Sequence, residues 1–186
     1  MRIALTVAAI ALATLPAHAD EVTDALQNAI TAYEDGDIAY AMEELTYAQS
    51  LLQAQQAQGL AGFLPEAPEG WTREINSEAG AALGMMGGGT AAEASYSGGG
   101  ESFTITFTAD NPMVAAMAGM FGNAAMLTAS GAKMIRVGRE KFVDQDGELT
   151  AVIDNRILIQ ASGADPETMV PVLETIDFRE LSRFGS

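Results

Sequence analysis

Two turn dipeptides, Asp146-Gly147 and Asp154-Asn155, stand between short alternating segments and restrict what this chain can fold into. Asp-Gly favours the positive φ values of a two-residue hairpin, so the segments on either side must pair antiparallel. Those segments are Glu140–Asp144, Glu148–Ile153 and Arg156–Ala161, with Lys133–Val137 just upstream. In Glu101–Thr108, Phe103, Ile105 and Phe107 alternate with Thr104, Thr106 and Thr108, the period of a half-buried strand. Trp71–Ile75 and Ala92–Ser97 supply two more strands. Asn111-Pro112 opens a helix predicted to run to about Ala129, and Asp165-Pro166-Glu167 opens another carrying Met169, Val172, Leu173 and Ile176. The expectation for residues 71–186 is an α+β domain: a mainly antiparallel sheet with two packed helices.

The first nineteen residues read as a secretory signal. Arg2 is followed by an apolar run from Ile3 to Leu15, then Pro16 and the small-x-small site Ala17-His18-Ala19. The run is too short to span a bilayer, so cleavage after Ala19 predicts a periplasmic or secreted product with no stable membrane insertion. His18 is the only histidine and there is no cysteine. The mature chain therefore lacks the parts for a zinc site, a serine-histidine triad, a thiolate nucleophile or a disulfide. Acidic residues number 25 against 9 basic, a net charge of −16. That balance repels nucleic acid and anionic lipid, because both are bound through lysine and arginine.

Residues 20–58 read as an antiparallel helical hairpin. Val22, Ala25, Leu26, Ala29, Ile30 and Tyr33 form one apolar stripe, and Ile38, Ala41, Met42, Leu45, Ala48 and Leu52 form a second. Asp35-Gly36-Asp37 separates them, with Asp37 placed as the cap of the second helix. Tyr33 to Ala48 resembles the middle of a tetratricopeptide repeat, with Gly36-Asp37 at its turn and Ala41, Leu45 and Ala48 at its small-large-small positions. Only one such unit is present, so the resemblance implies a hairpin that covers the rest of the chain or a partner rather than a stack. Residues 59–70, with Pro65 and Pro68, read as an irregular linker. The order of strands and helices after Trp71 is similar to that of small exported modules of the Mog1/PsbP-like kind. That likeness implies a non-enzymatic assembly or binding role.

The methionines are the most distinctive candidates. Met113, Met117 and Met120 recur at i, i+4 and i+7 on one helical face, and Met85 and Met86 lie in a glycine-rich loop. On so apolar a helix their first expectation is core packing. Two functional expectations stand beside it: a methionine-lined apolar surface that also takes in Trp71, and a Cu(I) site with Met113, Met117 and Met120 as thioether ligands. Ser130-Gly131-Ala132-Lys133 lacks the companion motifs of serine acyl-enzymes, and Asp144 to Glu148 has its glycine misplaced for a calcium loop. No catalytic residue is assigned. Arg136, Arg139 and Lys141 would form a positive patch if they converge, although each is expected to have a carboxylate partner. The leading expectation is an exported, non-catalytic binding protein presenting a methionine-bearing apolar surface to a protein partner or small ligand. The alternatives are a Cu(I) carrier and a carboxylate-dependent hydrolase.

Overall fold

The computed structural model describes residues 18–76, 88–121 and 131–185. Contacts divide the chain into two compact units, one ending at Leu51 and the other beginning at Leu52. Helix α1 (His18–Glu34) lies in the first, while α2 (Ile38–Ala61) contributes residues to both.

In the first unit α1 ends in a Schellman closure. Gly36 takes φ 82°, the Asp37 amide donates to Ala32 O at 2.9 Å, and the Gly36 amide donates to Tyr33 O at 3.1 Å. Asp37 then caps α2 by accepting from the Tyr40 amide at 3.1 Å. The side chains buried here are small: Ala25, Ala29 and Ala32 from α1, Ala41 and Ala48 from α2. The apolar stripes are therefore split, because their alanine halves are buried and their large halves are not.

In the second unit seven antiparallel strands form one sheet in the order β1-β2-β3-β7-β6-β5-β4. They are β1 (Thr72–Asn76), β2 (Thr90–Gly98), β3 (Glu101–Ala109), β4 (Lys133–Val137), β5 (Glu140–Gln145), β6 (Glu148–Ile153) and β7 (Ile157–Ser162). Asp146 and Gly147 take φ 53° and 85°, as the two-residue β5–β6 turn requires. Two meanders are joined where β3 pairs with β7, in register from Thr104↔Ser162 to Ala109↔Ile157. The connection from β3 to β4 carries α3 (Pro112–Phe121). Helices α4 (Pro166–Leu173) and α5 (Phe178–Leu181) follow β7.

One sheet face makes the core. Tyr96, Phe103, Ile105, Phe107, Phe142, Leu149, Ile157 and Ile159 are buried with Leu60, Leu64, Met169, Leu173 and Leu181. The segment after Gln58 departs from the expected linker. Helix α2 continues to Ala61, and the stretch beyond is pinned: Arg73 Nη1 donates to Leu64 O and Pro65 O, both at 2.9 Å. Leu64 and Pro65 are buried, so this stretch closes the core of the second unit. No helix among the described residues is long and apolar enough to cross a membrane.

Candidate functional site

The second sheet face is polar at its β2–β3–β7 side and apolar towards β5. Glu93 accepts from Asn76 Nδ2 at 3.0 Å and Thr106 Oγ1 at 3.1 Å, while Glu148 accepts from Gln160 Nε2 at 3.0 Å. These carboxylates are engaged by amides and hydroxyls of the neighbouring strands. Further along, the register places Met134, Val143 and Thr150 in one row across β4, β5 and β6.

Helix α3 packs against β6 on this face. Its start is fixed by Asn111, which is buried. Asn111 Oδ1 accepts from the Met113 amide at 2.8 Å, and Nδ2 donates to Gly88 O at 2.7 Å. Just before it, Asp110 takes φ 54° and receives a two-pronged bond from Arg156, Nε to Oδ1 at 2.9 Å and Nη2 to Oδ2 at 3.0 Å. Val114 is the helix residue driven into the sheet, 1 % exposed.

This placement corrects the expectation of core packing at Met113. Met113 is 56 % exposed, Met117 is half-buried, and Ala115, Ala116 and Gly119 face solvent. Hydropathy alone misplaces them, because α3 crosses an already satisfied sheet and buries only the side that meets β6. The side chain of Met120 and all of Met85 and Met86 lie outside what the structure describes, as does the predicted helix beyond Phe121. Trp71 belongs to the other face. Its ring lies 5.4 Å from that of Phe103, and it packs with the core.

Between α3 and the sheet runs a groove of about 430 Å³. Ala118, Met134, Val143 and Val152 give it an apolar lining, with Thr150 and Asn155 as polar points. Its size falls within the usual range for small-molecule sites, roughly 300–1,000 Å³. Arg139, Glu140 and Lys141 stand on its border. Gly138 at φ 60° followed by Arg139 makes the two-residue β4–β5 turn, and Arg136 pairs directly opposite Lys141.

The expected carboxylate partners are missing from this cluster. Arg73, Arg156 and Arg183 pair with Glu66, Asp110 and Glu180, whereas Arg136, Arg139 and Lys141 make no ion pair among the described residues. Convergence of these cations depends on strand register and turn geometry, so their one-dimensional spacing gave only the possibility. A larger cleft of about 550 Å³ lies where Phe63, Leu64 and Pro65 meet Pro171 and Val172. Glu66 on its border is already paired with Arg73.

A second surface, on the helical hairpin, was not legible as such. Leu26, Ile30 and Tyr33 are 41 %, 52 % and 69 % exposed. Ile38, Met42 and Leu45 on α2 are likewise exposed. Asn28 Nδ2 reaches Glu44 Oε2 at 3.3 Å on one flank of the pair. Helical periodicity then puts Leu26, Ile30 and Tyr33 on the opposite flank, together with Ile38, Met42 and Leu45. Among the described residues no group of three or more His, Cys, Asp or Glu is placed to hold a metal. Comparisons with protein-family models, curated proteins and solved structures find no match to this chain.

Proposed function

We propose that this protein is an exported, non-catalytic binding protein that receives an apolar ligand in the groove beneath α3. One observation carries the reading: a cleft of ligand size in which Ala118, Met134, Val143, Ala151 and Val152 form an apolar side. The thioether of Met134 and the aliphatic groups beside it supply apolar contact, and the polar residues on the other side of the cleft can fix a ligand's orientation.

The test is titration of the mature chain with N-phenyl-1-naphthylamine, a neutral fluorophore that brightens in apolar surroundings. Saturable binding, weakened at least about tenfold by the paired substitution Ala118→Phe and Val152→Phe, is expected because the new rings fill the cleft. Equal binding to the filled variant overturns the reading. Tight stoichiometric Cu(I) uptake, abolished by Met117→Leu and Met120→Leu, would replace it with the metal-carrier reading. Export is checked separately by mass spectrometry, which should find Asp20 at the amino terminus.

A protein partner is the second reading, favoured by the exposed hairpin flank of Leu26, Ile30, Tyr33, Ile38, Met42 and Leu45. Contiguous exposed apolar groups on a monomer mark an interaction surface. Between Asp20 and Ala61 the chain has acidic residues but neither lysine nor arginine, so the partner's complementary face is cationic. Loss of a captured partner on Ile30→Asp, with the hairpin's helicity unchanged, is the expected signature.

A further inference from the structure

We infer that the groove's ligand is a single-chain amphiphile with an anionic head, a fatty-acid-like carboxylate whose tail lies beneath α3 and whose head meets Arg139 and Lys141. The inference rests on the groove reading and adds the ligand's charge and polarity. Arg139 and Lys141, with Glu140 between them, border the same cleft that Ala118, Met134, Val143 and Val152 line, so a rim with a net positive charge and an apolar side share one opening. Arg136 lies directly across from Lys141 in the β4–β5 register. Like charges at directly opposed positions destabilise a strand pair, and no described carboxylate relieves these. In a chain with 25 acidic and 9 basic residues, Arg139 and Lys141 at the groove and Arg136 beside them, without ion-pair partners among the described residues, favour positive potential at its mouth. Two carboxylates stand near. Glu140 also lines the cleft, but it is in register with Val137, whose side chain is in the core, so strand alternation turns it from the face of Lys141. Glu148, on the face of Thr150, accepts from Gln160.

Edge protection is the competing account, since basic residues on an edge strand deter sheet-to-sheet pairing. It accounts for Lys133 and Arg136 on β4, the edge strand, but not for the other two cations. Lys141 is on β5, an interior strand, and Arg139 is in the turn. Net charge argues for a free amphiphile over a membrane surface, because a chain at −16 is repelled by an anionic bilayer while a lone monoanion feels the local field.

The experiment displaces bound N-phenyl-1-naphthylamine from the full mature chain with dodecanoate, dodecanol or dodecyltrimethylammonium, all below their micelle concentrations. Dodecanoate is expected to compete at about tenfold lower concentration than dodecanol, and the cation to compete worst. Arg139→Gln with Lys141→Gln should bring dodecanoate to the level of dodecanol and leave dodecanol unchanged, with the Trp71 fluorescence spectrum unaltered. Equal competition by dodecanoate and dodecanol in the unsubstituted chain overturns the inference while the groove reading stands. An equal loss for both competitors in the double variant also overturns it. If no competitor displaces the fluorophore and groove filling has no effect, the groove reading fails with it. Co-sedimentation with phosphatidylglycerol vesicles that depends on Arg139 and Lys141, without dodecanoate competition, would assign the cations to a membrane surface and overturn the inference.

Discussion

Arg156 closes a two-pronged ion pair on Asp110, Nε to Oδ1 at 2.9 Å and Nη2 to Oδ2 at 3.0 Å. The pair joins the β6–β7 turn to the residue just before α3, and the Asp110 amide donates to Arg156 O at 3.0 Å. The bonded carboxylate also raises the arginine's pKa, holding the guanidinium charged. One wall of the groove is thus tied to the strands that form its floor.

Because both partners are partly exposed, this ion pair contributes modestly to stability. Asp110→Asn should cost at most about 1 kcal/mol, since asparagine tolerates the positive φ but loses the charge. Thermal melts should fall by about 2–4 °C for a chain of this size, and the gap should narrow in high salt. A melting temperature unchanged at low salt would show that the pair does not hold α3.

Asn111 has the larger expected effect. Its Oδ1 caps α3 and its Nδ2 satisfies the Gly88 carbonyl, both from a buried position. Asn111→Ala removes a cap worth about 1 kcal/mol and strands a carbonyl worth about 1 kcal/mol or more. Asn111→Asp keeps the cap but brings a carboxylate oxygen against the Gly88 carbonyl, so it should not rescue. Urea denaturation of the three proteins checks this order; full rescue by aspartate would contradict it.

Tyr96 provides a pH signature. Its ring is buried, stacked 4.8 Å from Phe103, and its hydroxyl donates to Pro65 O at 2.7 Å. Burial pushes its pKa up to about 12, against an opposing pull from Arg73. The folded state therefore holds this proton more tightly than the unfolded chain, so the contribution is complete below about pH 10. It is lost as pH rises from 10 towards 12. Tyr96→Phe should flatten the stability profile across that window; a profile of unchanged slope would remove Tyr96 as its cause.

Strand identity was legible because alternation and turn chemistry are local. Lys133–Val137 and Glu148–Ile153 occupy the spans that periodicity marks, and Asp146-Gly147 makes the turn its φ preference favours. The pairing of β3 with β7 was not, since no short-range signal links Thr104 to Ser162. The groove inherits that opacity. Met134, Val143 and Thr150 become neighbours only through register, and the exposure of Met113 depends on which side of α3 meets β6.

Gly98 supplies a fluorescence test of the core. A Cβ there would stand 2.5 Å from Trp71 Cγ, so only glycine lets the indole lie flat against β2. Gly98→Ala should displace Trp71 from Phe103, cost about 1–3 kcal/mol and shift the emission of the sole tryptophan. An unshifted spectrum with unchanged stability would show the indole is not seated there.

The hairpin makes the sharpest reversal of ordinary expectation. Its sequence mixes alanine with leucine, isoleucine and tyrosine in one broad stripe, and hydropathy assigns the large residues to the interior. Instead Ala29 is 4 % exposed and its neighbour Ile30 is 52 % exposed, because the alanines form the buried seam of the hairpin. Ala29→Leu inserts three carbons into that seam and should cost about 1–3 kcal/mol. Ile30→Gln alters an exposed position and should change stability by no more than about 0.5 kcal/mol. Urea melts followed by helical circular dichroism rank the two. If Ile30→Gln proves the more damaging, the large residues are buried in solution and the flank offered to a partner does not exist. If the predicted order holds, Ile30→Gln becomes the right probe of partner binding, because it removes apolar surface without disturbing the scaffold beneath.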